Sequence, residues 1–148
     1  MIGQIVMMGV HGTDVNEDIL YMLHHFHFWG SILFDRNMES VEQVSRFVKN
    51  LQSKCEEKVP LFIAVDEEGG EVVQMEEALT PPPSQIDIGN TGDTSLAENW
   101  AKKTVSEIKA MGINVNLAPV ADIGFPDTYS YGSEPGIVTD FVRSAANG

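Results

Sequence analysis

An α/β fold built on a parallel sheet is predicted by three features of the sequence. Short apolar runs alternate with amphipathic helical stretches in four successive units. The runs are almost continuously apolar, as strands covered on both faces must be. Asp35, Asp66 and Asp122 each close one of these runs, at the carboxyl ends where parallel sheets bind ligands. The pattern fits two architectures, a small doubly wound sheet or half of an eight-stranded barrel. One domain spans residues 1–148, with enough apolar content for a core.

The units follow in order. Ile5–Val10 is the first strand run, and Glu17–Phe28 the first helix, with Ile19, Leu20, Met22, Leu23 and Phe26 at buried helical spacing. Ser31–Asp35 is the second run. Ser40 and Gln43 have capping-box spacing for a helix in which Val41, Val44, Phe47 or Val48, Leu51 and Cys55 face inward. Cys55 reads as a small core residue. Leu61–Asp66 is the third run, followed by a long insertion, Glu67–Thr94, carrying Thr80-Pro81-Pro82-Pro83. Ser95–Met111 is the third helix, with Leu96, Trp100, Val105, Ile108 and Met111 inward and Gly112 as its stop. Ile113–Asp122 is the fourth run, and a last helix starts at Ser133-Glu134-Pro135 and ends near Asn147.

Composition excludes several function classes. A net charge of −13 with nine Lys and Arg residues leaves no basic patch to track phosphates, which argues against nucleic acid and against an anionic membrane surface. One cysteine allows neither an internal disulfide nor a Cys-based zinc site. No apolar run approaches the ~20 residues of a membrane span, and no signal peptide is visible, so the expected location is cytoplasmic. No cofactor is expected. Glu67, Glu68, Glu71, Glu76 and Glu77 supply oxygens, but their spacing fits no Ca²⁺ loop, so no metal is expected either.

The most informative stretch is Ile63–Gly70, IAVDEEGG. An apolar run stops at three carboxylates and two glycines. Glycines there either let backbone approach a ligand or let the chain turn with positive φ. The spacing is not that of a phosphate loop, and the acidic side chains would repel phosphate. Asp35 and Asp122 read equally well as loop or helix caps.

Taken together, Ile2-Gly3-Gln4, Gly30–Asn37, Ile63–Gly70, Thr80–Ser84, Gly112–Val120 with Asp122, and Tyr131–Pro135 form an ordered set. It resembles the N-terminal barrel domain of glycoside hydrolase family 3, particularly its β-N-acetylhexosaminidase branch. The resemblance implies about the first half of a TIM (β/α)8 barrel. It also implies a retaining O-glycosyl hydrolase for β-N-acetylhexosaminides or β-glucosides, in which one carboxylate attacks the anomeric carbon and an acid protonates the leaving oxygen. Asp66 is implied as the substrate-binding residue, a charged acceptor for sugar hydroxyls. Glu67, Glu68, Gly69, Gly70, Gln74 and Tyr129 are implied as pocket wall. Glu71, Gln74 and Tyr129 stand where the family has arginines.

The family's histidine proton donor and aspartate nucleophile have no counterpart here, so no catalytic residue is expected within residues 1–148. The sequence looks truncated at both ends, and the chain alone is expected to be inactive. The expected partner is carbohydrate, and open barrel edges predict self-association. Two alternatives stand beside this reading: a non-catalytic sugar-binding remnant, and a small acidic flavodoxin-like α/β domain.

Overall fold

The computed structural model describes residues 2–55, 59–76, 79–124 and 129–148. A 3-10 turn, Ile2–Ile5, precedes β1 (Met7–Gly9). There follow α1 (Glu17–Phe26), β2 (Gly30–Leu33), α2 (Val41–Lys54), β3 (Phe62–Val65), α3 (Gln85–Asn90), α4 (Thr94–Ala110), β4 (Val115–Asn116) and α5 (Pro135–Ala146). The strands form one sheet in the order β1-β2-β3-β4, with β1–β2 and β2–β3 parallel. This order overturns the flavodoxin-like alternative. A doubly wound sheet needs a reversal of strand order, and the sequential order has none. It is the order of successive units in a (β/α) barrel.

The chain divides into two compact units, Met1–Val65 with Ile108–Val115, and Asp66–Glu107 with Asn116–Gly148. In the first, the register pairs Ser31 with Ile63 and Leu33 with Val65, so these four share one sheet face, and all are at most 1% exposed. The apolar stripe of α2, Val44, Phe47, Val48 and Leu51, is buried with them. Burying such a side chain contributes about 1.5–3 kcal/mol, so this face and stripe carry the unit. On the opposite face Met7 and Phe62 remain open to solvent.

Helix ends in this unit follow local chemistry. Asn16 accepts the Ile19 N–H at 3.0 Å to start α1. The helix stops at Phe26, two residues earlier than its apolar spacing predicts, because His27 adopts a left-handed φ of 50°. Ser40 caps α2 by accepting the Gln43 N–H at 3.1 Å. The return arm of the expected capping box is absent: Gln43 Oε1 accepts from Glu39 N–H and Nε2 donates to Thr13 O and Asn37 O. Cys55 is the half-buried C-cap of α2, not a core residue. Asn114 ties β4 to β3 with both main chain and side chain. Its N–H donates to Ile63 O at 3.0 Å, its Oδ1 accepts Ile63 N–H at 2.7 Å, and its Nδ2 donates to Leu61 O at 2.9 Å.

The second unit packs around Ile88, Ala97, Tyr131, Phe141 and Ala145. The Tyr131 and Phe141 rings stack at 5.1 Å. Here α3 lies within what reads as a loop in the sequence, capped by Ser84, whose Oγ accepts Asp87 N–H at 3.2 Å. Of the inward positions expected for this helix, Ile108 and Met111 are buried, but its earlier turns depart from expectation. Ala97 and Thr104 are buried, Leu96 and Trp100 partly so, and Val105 is exposed. Small side chains at 97, 101 and 104 let this helix sit close to the aromatic stack, which outweighs the gain from burying Val105. Pro135 opens α5 at its first turn, where a missing N–H costs nothing.

Candidate functional site

Asp66 directly follows β3 and is half-buried. Within its own unit its carboxylate takes no hydrogen bond from any described residue, which leaves both oxygens available to a ligand. Behind it the chain folds into a tight hairpin: Glu68 N–H and Gly69 N–H both donate to Val72 O at 3.1 Å, and Val72 N–H returns to Gly69 O at 3.2 Å. Gly69 and Gly70 sit at φ +92° and +61°, so the turn needs residues without a Cβ. Gly70 N–H also donates to Pro82 O at 3.1 Å. A Cβ on Gly69 would lie 2.5 Å from Pro83 O and 2.8 Å from Pro82 O. Positive φ and the close approach of the proline segment therefore account for both glycines.

Glu67 is 3% exposed. Its Oε2 accepts the Gln74 N–H at 3.0 Å, and Gln74 Nε2 donates to Asp66 O at 3.3 Å. Asn116 engages the Glu67 main chain twice, Oδ1 accepting its N–H at 3.1 Å and Nδ2 donating to its carbonyl at 3.2 Å. Thr80 N–H is held by Glu107 Oε2 at 3.1 Å.

Among the described residues, Glu67 Oε1 and Glu68 Oε2 are buried and have no hydrogen-bond partner. Burial pushes the Glu67 carboxyl above the usual carboxylate range. The Gln74 N–H opposes this, and the negative Glu107 adds to it. Glu68 is pushed the same way, by burial first and then by the charge of Asp66. A carboxyl raised in the folded state binds more protons folded than unfolded, so its ionisation destabilises as pH rises above the unfolded value near 4.5. Glu67→Gln keeps an acceptor for Gln74 N–H and removes the buried charge. Thermal melts should show it more stable than the parent at pH 7, where the parent carries the buried charge. The two melting temperatures should converge as pH falls toward 4.5. A constant difference across that range would show that ionisation of Glu67 is not the source.

A cavity of about 300 Å³ lies in the same unit, lined by Glu67, Glu68, Trp100, Thr104, Asn116 and Tyr131 among others. Burial pushes the pKa of the Tyr131 hydroxyl up to about 12. Asp66, Gly69, Gly70, Gln74 and Tyr129 are not among its lining residues. The structure thus joins Asp66, Glu67, Glu68, Gly69, Gly70 and Gln74 in one hydrogen-bonded loop. Among the described residues no hydrogen bond links the half-buried Tyr129 to it.

Asp35 lies just past β2 and is exposed; Asp122 is exposed too but closes no strand, because β4 ends at Asn116 and not at Asp122 as the apolar run predicts. Arg36 lies 4.4 Å over the Phe34 ring. Asn37 is buried and structural, donating to Val10 O and Gly12 O at 3.1 and 2.8 Å. Among the described residues no three His, Cys, Asp or Glu side chains converge as metal ligands; Glu77 lies outside those residues. Sequence reasoning missed Asn116. Two asparagines two apart in an apolar run, Asn114 and Asn116, were the available signal, since amides within a strand run need hydrogen-bond partners.

A parallel sheet in barrel order, with an acidic, backbone-pinned loop at the carboxyl end of its third strand, is the frame of a (β/α)-barrel enzyme domain. The family model described as the glycosyl hydrolase family 3 N terminal domain matches residues 1–148, and the chain belongs to that family. The β-hexosaminidase of Shewanella frigidimarina is 36% identical over 124 residues, covering 80% of this chain and 36% of that protein. The Haemophilus influenzae β-hexosaminidase is 30% identical over 123 residues, with 80% and 34% covered. The solved structure of a family 3 β-N-acetylglucosaminidase from Paenibacillus sp. superposes with a TM-score of 0.91 at 36% identity, over 97% of this chain and 29% of that one. The chain thus spans about a third of the length of these relatives.

Proposed function

We propose that this domain contributes the sugar-binding carboxylate of a retaining β-N-acetylhexosaminidase, with Asp66 accepting hydrogen bonds from substrate hydroxyls. The observation that carries the reading is the state of Asp66: half-buried at a strand end, its main chain held and its carboxylate unclaimed within its unit. A charged acceptor held in place makes stronger bonds to hydroxyls than a neutral or mobile one. Glu67, Glu68, Gly69, Gly70 and Gln74 shape the loop around it, and Tyr129 belongs to the pocket wall in this reading. The general acid and the nucleophile come from outside residues 1–148.

The native protein should hydrolyse 4-nitrophenyl N-acetyl-β-D-glucosaminide faster than the corresponding β-glucoside, with net retention at the anomeric carbon. Binding of N-acetyl-D-glucosamine without hydrolysis would instead favour a sugar-binding remnant, and absence of both would overturn the reading. The proposal includes a cytoplasmic location, which fractionation of the host tests. It also includes self-association through open barrel edges, and a monodisperse monomer in sedimentation contradicts that part.

A further inference from the structure

Sugar recognition through Asp66 depends on where its carboxylate points, and that is set by the peptide planes beside it. The Asp66–Glu67 peptide has both polar ends engaged: its carbonyl accepts from Gln74 Nε2 at 3.3 Å, and its N–H donates to Asn116 Oδ1 at 3.1 Å. The next peptide, Glu67–Glu68, is engaged in the same way. Its carbonyl accepts from Asn116 Nδ2 at 3.2 Å, and its N–H donates to Val72 O at 3.1 Å.

Among the described residues, Asn116 is the one side chain that bonds to both planes. Its Oδ1 also lies 3.3 Å from Ala118 N, which orients the amide. Gln74 is oriented in turn by its N–H on the buried Glu67 carboxylate. The Asp66–Glu67 plane bounds Asp66 on its C-terminal side, so holding it, with the next plane held behind it, restricts the direction in which the Asp66 side chain leaves the backbone.

We propose that Asn116 is a positioning residue for Asp66, acting with Gln74 through the two peptide planes that follow Asp66. This rests on reading Asp66 as the sugar-binding carboxylate. In this proposal Asn116 acts on the Asp66 main chain rather than on the sugar, so its contribution passes through Asp66. Such a residue and the group it positions must be non-additive, whereas two independent contributors add.

The test is a double-mutant cycle in the native protein, reading kcat/KM on 4-nitrophenyl N-acetyl-β-D-glucosaminide, with thermal melts alongside. Asn116→Ala is expected to lower kcat/KM about tenfold in the parent and less than about twofold in the Asp66→Ala background. Equal losses in both backgrounds would overturn the proposal and leave the role of Asp66 intact. Parent-like activity of Asp66→Ala would overturn the sugar-binding reading and this proposal with it. Should Asn116→Ala melt below the assay temperature, Gln74→Ala decides, because it removes the bond to the Asp66 carbonyl while sparing both Asn116 bonds. Its smaller loss must likewise vanish in the Asp66→Ala background, and persistence there would overturn the proposal.

Discussion

Replacing Asp66 by alanine is expected to lower kcat/KM on an N-acetyl-β-glucosaminide by about two orders of magnitude or more, at two charge-assisted hydrogen bonds of roughly 1.5–3 kcal/mol each. Stability should hardly change. The side chain is half-buried, carries no hydrogen bond from a described residue of its unit, and leaves no cavity in the core when shortened. Asp66→Asn separates charge from shape. It keeps one acceptor oxygen but loses the ionic strengthening of the bonds, so it should fall between the parent and Asp66→Ala. A melting temperature lowered in proportion to the activity would show that Asp66 holds the loop and that the activity loss is indirect. Unchanged activity in Asp66→Ala would remove the sugar-binding role.

Where chemistry is local, this sequence could be read directly. Ser40 before an apolar helical pattern, Pro135 at a helix start and Gly112 at a helix end each act within one turn, and each lies where expected. The position of Asp66 directly after β3 was legible for the same reason, as a charge closing an apolar run. Contacts distant in sequence were not. Which residues the earlier turns of α4 bury depends on how close its small residues bring it to the Tyr131–Phe141 stack, contributed from some thirty residues further on. Ser84-x-x-Asp87 was a cap signal overshadowed by the prolines before it. The clamp by Asn116 joins residues 49 apart. Only the chemical need of an amide in an apolar run for partners pointed toward it, and that need names no partner. Doubt over whether the glycines serve a ligand or a turn was also tertiary in origin, because the Pro82–Ser84 segment that closes on them comes from the far side of the insertion.

That close approach gives Gly69 a large expected effect on stability. Alanine there meets two separate obstacles. At φ +92° an L-residue is strained, and its Cβ would stand 2.5 Å from Pro83 O, 2.8 Å from Pro82 O and 2.9 Å from Pro82 Cγ. These are backbone and ring atoms in a proline run that cannot rotate aside, so the segment or the hairpin must move. Strain of about 1–2 kcal/mol for the backbone and about 1–3 kcal/mol for overpacking gives a loss of roughly 2–5 kcal/mol. Gly92 isolates the first contribution. It has φ +71°, and a Cβ there would meet nothing within 4 Å, so Gly92→Ala should lose only the strain, about 1–2 kcal/mol. Denaturant titration of both variants measures the difference, which is the cost of the proline contact itself. Equal losses would mean that the proline segment yields easily and the hairpin is set by its own turn. A much larger loss in Gly69→Ala, with sugar affinity falling alongside, would tie the proline segment to the placement of Asp66, since the hairpin it braces also holds the Glu68 N–H.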